Sequence, residues 1–259
     1  MTLRDDLAEV GLHCTIDGAV ATMTLHRPEV RNAQKPSMWA GMVDFVTGLG
    51  DDVRVVVVRG SGGIFSAGLD LGLIDPARTE EPGNLIATMR MSDAEVVDAI
   101  DGYQQAFTAL MDPRFISVAA VDGAAIGAGF QLALACDLRV ATDRSYFCMK
   151  EPALGLVPDL TGTKPLVEAV GYARALEICA TARKVDAEEA GQIGLVQELV
   201  GADELDATVE TLVAALTAHD ADAVRATTVL LREAGGRSLE EQRLAERTAQ
   251  VARLRALVG

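Results

Sequence analysis

Two stretches of this chain combine small residues with the ends of apolar runs, and so bring main-chain N–H groups within reach of a ligand. They are SGGIFSAGLD (61–70) and DGAAIGAGFQ (122–131). Two such N–H groups aimed at one point hold a developing oxyanion, an effect worth roughly 3–4 kcal/mol per donor in other enzymes. The same residues serve equally well as close-packed strand-to-helix turns. Other readings fail on detail. A dinucleotide fingerprint needs a glycine where Leu132 follows Gly127 and Gly129. A nucleophile elbow around Ser66 needs one where Ile64 stands, and no Gly-Lys-Ser/Thr loop occurs. The three histidines, His13, His26 and His219, sit beside an expected hairpin or at an expected helix end. Cys14, Cys136, Cys148 and Cys179 form no C-x-x-C pair and read as buried free thiols, so no metal site is expected.

The elements that must carry these turns follow from periodicity. Residues 11–25 predict two strands around Asp17-Gly18. Residues 37–49 predict a helix capped by Ser37. VRVVVVR (53–59) is too apolar for an exposed strand and predicts one covered on both faces. Residues 71–100, broken by Pro76, Pro82 and Gly83, read as an irregular excursion that shapes a pocket together with Phe130. A helix over 103–111, a strand over 115–121, a short helix over 127–135 and a strand over 137–141 follow. Beyond residue 160 the pattern is helical, with a capping box from Ser238 to Glu241 opening the last segment. The plan is an α/β core over 1–200 and a helical region over 201–259.

Composition narrows the partners. The 259 residues are 49% hydrophobic, ample for a core, and only 4% aromatic. The 23 basic and 38 acidic residues leave a net charge of −15, a field that repels nucleic acid and anionic membrane surfaces. No apolar run approaches a membrane span and the first residues lack a signal-peptide core, so a soluble, cytoplasmic protein is expected.

Five segments then carry a specific resemblance: HRPEVRNA (26–33), IFSAGLDL (64–71), VDGAAIGAGFQLALACDLRVAT (121–142), EPALGLVPDLTGT (151–163) and ARKVDAEEAGQIGLV (182–196). In this order and spacing the chain resembles the crotonase, or enoyl-CoA hydratase/isomerase, superfamily. The resemblance implies a spiral of β-β-α turns, a C-terminal helical region that makes trimers or dimers of trimers, acyl-CoA thioester substrates, and no cofactor beyond the CoA of the substrate. It implies that the amides of Ala67 and Ala128 form an oxyanion hole, with Ala128 standing where many relatives have glycine. It further implies that Asp70 secures its loop, that Ala67, Gly68, Leu69 and Asp70 line the CoA track, and that Arg27 and Arg31 are candidates for CoA phosphates.

The acid/base pair departs from the hydratase pattern. One of the two hydratase glutamates matches Glu151; the other falls on Gln131, whose amide exchanges no proton at neutral pH. Double-bond isomerisation by Glu151 alone is the favoured reading. Asp159, eight residues on, matches the spacing of a dienoyl-CoA isomerase pair. The same residues also suit a one-glutamate 2-enoyl-CoA hydratase or a non-catalytic acyl-CoA-binding protein.

Overall fold

The computed structural model describes residues 5–80 and 83–257. Its main sheet has six strands in the order β1-β2-β3-β4-β6-β9: β1 (Leu12–Asp17), β2 (Val20–Leu25), β3 (Val55–Gly60), β4 (Ile116–Val121), β6 (Leu138–Thr142) and β9 (Glu198–Val200). The β1–β2 hairpin closes over Gly18 and Ala19, with φ of +53° at Gly18; every later pairing in this sheet is parallel. The valines of β3 divide between two apolar layers. Val56 and Val58 join the large core, whereas Val55 and Val57 pack with Val118, Val140, Leu205 and Val209 under helix Leu205–Thr217. That two-sided cover is why the run has no alternation.

A second, smaller sheet positions the site. β5 (Ala124–Ile126) runs parallel to β7 (Tyr146–Cys148), which pairs antiparallel with β8 (Val185–Asp186). Two isolated parallel bridges, Ser66 with Ala125 and Gln34 with Leu69, extend it across the first glycine-rich turn. Helix Ala128–Ala135 follows β5 and is buried at all eight positions, in keeping with its near-continuous apolar sequence. Phe130, expected at the pocket, packs instead inside the core with its ring 5.3 Å from that of Phe147.

Two helix starts differ from expectation. Helix Pro36–Thr47 opens on Pro36, not on a Ser37 cap; proline needs no N–H at the first helical position and supplies the right φ. The helix expected over 103–111 begins ten residues earlier, as Asp93–Thr108, because Ser92 and Glu95 form a capping box. The excursion before it is a string of short turns, Leu71–Ile74, Pro76–Arg78 and Leu85–Thr88, with Leu71 and Met89 largely exposed.

The C-terminal third is helical: Thr163–Val170, Tyr172–Thr181, Ala187–Gln192, Leu205–Thr217, Ala221–Ala234 and Leu239–Ala256, the last opened by the expected Ser238–Glu241 box. Arginines fasten it to the sheet. Arg232 grips both oxygens of Asp137 at 2.7 Å, and Arg54 donates to the carbonyls of Thr217 and His219. Among the described residues no helix is long and apolar enough to cross a membrane.

Candidate active site

Two segments leave the neighbouring parallel strands β5 and β7 at their carboxyl ends, where open α/β sheets commonly place ligands, and the glycine-rich turn after β3 is joined to β5 by the Ser66–Ala125 bridge. The register pairs Ile126 with Cys148, and Gly127 N donates to Cys148 O at 2.9 Å. Gln131, one turn into its helix, therefore meets Glu151, three residues past β7. Gln131 is fully buried, and its helix offers it no polar neighbour. Both ends of its amide are engaged elsewhere: Oε1 accepts from the N–H of Leu160 (2.9 Å) and Gly162 (3.2 Å), and Nε2 donates to Glu151 Oε1 at 2.7 Å. The two backbone donors fix the amide orientation, since the flipped amide would set NH₂ against N–H.

Glu151 Oε2 is buried and makes no hydrogen bond to any described residue. Burial pushes the Glu151 carboxyl above the usual glutamate range; the nearby Asp159 charge adds to this and the Gln131 bond opposes it. Burial likewise raises Asp159, whose carbonyl accepts from Gln104 Nε2 at 2.6 Å. Two carboxyl groups thus share one half-buried region, and one of them has an oxygen to spare.

The first glycine-rich turn lies against the start of helix Ala128–Ala135. Gly68 has φ of +91°, and a Cβ there would come 2.5 Å from Ile126 O and 3.4 Å from Ala128 N. Only glycine allows this approach. Ala67 is not free to act as expected: its N–H donates to Arg31 O at 2.9 Å. Gly68 N is held by Ser66 Oγ (3.2 Å) and Asp70 N by Gln34 O (2.8 Å). That leaves the amide of Leu69, which bonds to no described residue. On the facing turn Ala128 is the first residue of its helix and has no intrahelical acceptor; the backbone ladder starts with Gln131 N on Gly127 O. The free pair of amides is Leu69 and Ala128, one of them two residues from the expected position.

Arg27 also has a different task. Its Nη1 bonds Asp70 Oδ2 at 2.9 Å and Ala33 O at 2.7 Å, so it ties the loop instead of standing free for a phosphate. Asp70 also accepts from Gly72 N at 2.9 Å. Burial works to raise Asp70, but the Gly72 amide, Arg27 and the Arg78 charge outweigh it and hold the carboxyl below its ordinary range. A lowered carboxyl contributes stability above its unfolded pKa, and the contribution is lost only as pH falls through the lower folded value. Arg27→Met is expected to cost about 1–3 kcal/mol at neutral pH. The share due to the Asp70 pair shrinks as pH falls through the lowered Asp70 value, while the share due to the Ala33 carbonyl persists; urea melts at a series of pH values from 7 downward check this. Arg31 is exposed beside the same turn.

A buried polar chain that the sequence did not disclose supports the turn. Trp39 Nε1 donates to Gln34 Oε1, Gln34 Nε2 to Ser66 Oγ, and Ser66 Oγ to Asn32 O, at 2.8, 3.0 and 2.8 Å. Asn32, left-handed at φ of +53°, donates to Ser61 O and Ile64 O. Asparagine tolerates that conformation, but HRPEVRNA alone does not reveal where its amide reaches. All four cysteines are free, and burial raises Cys14 and Cys136 to about 12.

The family described as Enoyl-CoA hydratase/isomerase matches residues 15–255. The chain belongs to the enoyl-CoA hydratase/isomerase family. A Thermobifida fusca YX protein classed as an enoyl-CoA hydratase and solved in complex with CoA is 49% identical; it superposes with a TM-score of 0.93 over 98% of this chain and 96% of its own. The Mycobacterium bovis protein named "Probable enoyl-CoA hydratase echA8" is 30% identical over 89% of this chain and 84% of itself. The Arabidopsis thaliana peroxisomal Delta(3,5)-Delta(2,4)-dienoyl-CoA isomerase is 31% identical over 87% and 81%. Similarity to both hydratases and an isomerase leaves the reaction of this enoyl-CoA hydratase/isomerase family member to be argued from its own Glu151, Gln131 and Asp159.

Proposed function

We infer that this enzyme moves the double bond of an enoyl-CoA thioester, with Glu151 as the proton carrier. Glu151 Oε2 takes a proton from C2 of a 3-enoyl thioester. The electron pair spreads into a dienolate whose oxygen rests on the amides of Leu69 and Ala128, and Glu151 returns the proton at C4. Atoms and charge balance without a redox partner. The observation that carries this reading is the Glu151–Gln131 pair: one carboxylate with one oxygen tethered and one free, beside an amide that exchanges no proton. Acyl-CoA binding is supported by the Thermobifida fusca relative solved with CoA. In this reading Gly68, Leu69 and Asp70 line the pantetheine track and Arg31 is the candidate phosphate contact. The apolar residues left exposed on the last helix, Leu244, Val251 and Leu254, support docking of this region against further copies of the chain.

The test is to supply 3-enoyl-CoA esters of several lengths and follow absorbance of the conjugated 2-enoyl product. Conjugation that depends on Glu151 supports the assignment, whereas tight binding without turnover overturns it in favour of a carrier. Gln131→Glu is expected to raise hydration of 2-enoyl-CoA by about 10-fold or more, because a lost acid/base group typically costs 10²–10⁴-fold. Unchanged hydration would show that the missing carboxylate is not what limits that reaction.

The charge coupling of Asp159 to Glu151 favours one second reading, 3,5- to 2,4-dienoyl-CoA isomerisation with the two carboxyl groups bracketing the diene. Asp159→Asn separates the two: about 10²-fold or greater loss on a 3,5-dienoyl-CoA with 3-enoyl turnover retained supports the paired mechanism. Equal activity on both substrates makes Asp159 a turn residue.

A further inference from the structure

Two buried side-chain oxygens make no hydrogen bond to any described residue: Glu151 Oε2 and Thr161 Oγ1. Proton transfer accounts for the first. It makes no use of the second, although both belong to one cluster. Thr161 lies between Leu160 and Gly162, whose amides hold Gln131 Oε1, and the other end of that amide holds Glu151. Its backbone is left-handed at φ of +69°, a region that β-branched residues rarely enter. Glycine there would remove both the backbone strain and the unsatisfied hydroxyl. The chain instead keeps a strained residue whose hydroxyl is closed off from solvent, a combination that clusters at ligand-binding positions.

A hydroxyl both donates and accepts, so the partner that satisfies it is another polar atom; a plain hydrocarbon acyl chain carries none. The path from the Glu151 carboxylate to the Leu160 and Gly162 amides on either side of Thr161 is one amide and two hydrogen bonds, roughly 8 Å. Carbons 2 to 4 must lie at Glu151 Oε2 for the proposed chemistry, which leaves the next part of the acyl chain for Thr161.

We propose that Thr161 is a specificity-determining residue whose hydroxyl hydrogen-bonds an oxygen substituent at C5 of the acyl group. The site then prefers an acyl thioester oxygenated just beyond the reacting carbons over an unsubstituted one of equal length. This rests on the acyl-CoA reading of the site, and the test separates the two.

The experiment is calorimetric binding of hexanoyl-CoA, 3-hydroxyhexanoyl-CoA and 5-hydroxyhexanoyl-CoA to the full chain and to Thr161→Ser, Thr161→Val and Thr161→Gly. Unmodified protein is expected to bind the 5-hydroxy ligand about tenfold more tightly than hexanoyl-CoA. Serine keeps that ratio, while valine and glycine both bring it close to one. Glycine, free of the left-handed penalty, guards against a valine variant that fails to fold. No preference in the unmodified protein, a preference that survives valine and glycine, or a larger advantage for the 3-hydroxy ligand overturns the proposal. Uniform weakening of all three ligands assigns Thr161 a structural role and overturns it as well. Failure of hexanoyl-CoA itself to bind overturns the acyl-CoA reading on which it rests.

Discussion

Glu151→Gln is expected to lower isomerisation of 3-enoyl-CoA by about 10²–10⁴-fold, the range for loss of a general base, while acyl-CoA affinity stays within a few-fold. The amide keeps the volume of the carboxylate and can accept from Gln131 Nε2, so the pocket and the Gln131 clamp on Leu160 and Gly162 are preserved. What disappears is the carboxylate oxygen Oε2, which makes no hydrogen bond to any described residue. The same substitution is expected to stabilise the fold at neutral pH. Burial raises the Glu151 carboxyl, with Asp159 adding to it, so the native state holds this proton more tightly than the unfolded chain does. Such a group contributes stability that is fully present below the unfolded pKa and lost as pH rises through the folded one. Wild-type protein at pH 7 therefore carries a buried charge that Glu151→Gln lacks; the variant melts higher at pH 7, and the gap closes toward pH 4. Activity has the complementary profile. The base works as a carboxylate, so kcat/KM falls on the acid side at a higher pH than an ordinary glutamate would give. A variant that is less stable at pH 7, or one that retains full turnover, removes Glu151 from the role.

The legible and illegible parts of this site divide along a physical line. Buried strands announce themselves by composition, and Val55–Val58 reads as covered on both faces because four consecutive valines suit no half-exposed strand. Glu151 and Gln131 were locatable because each follows a recognisable segment at fixed spacing. Which amide in SAGLD stays free was not locatable, because it depends on how distant carbonyls use the others. Arg31 O takes Ala67, Gln34 O takes Asp70, and only the parallel bridge of Gln34 with Leu69 turns the Leu69 amide away. The same reason hid Arg27. An arginine in a loop looks available for phosphate until the fold places Asp70, 43 residues on, at 2.9 Å. Thr161 gave no signal at all, since a left-handed threonine is a property of the strap around Gln131 and not of the letters LTG.

Ala128→Pro is expected to lower kcat by about 10²–10³-fold, the cost of removing one oxyanion donor, while the helix it begins stays intact. Proline is normally destructive in a helix because it removes a ladder donor and crowds the preceding turn. Ala128 escapes both penalties. It is the first residue of Ala128–Ala135, its N–H has no intrahelical acceptor, and Gly127 before it has no Cβ to clash with the new ring. The only group the substitution takes from the fold is the N–H that faces the Leu69 turn. The ring Cδ adds bulk where the amide hydrogen was, close to Gly68, so the loss is read beside two comparisons: Ala128→Gly, which keeps the donor and is expected to stay within a few-fold of wild type, and the affinity for free CoA. Free CoA carries no thioester carbonyl, and its affinity is expected to be the same in all three proteins. Dichroism and thermal melts establish that the proline variant is folded, and kcat on 3-enoyl-CoA then reads the donor itself. A folded Ala128→Pro protein with undiminished kcat would mean that the dienolate oxygen rests elsewhere, and the Leu69–Ala128 pair would be no more than a tightly packed turn.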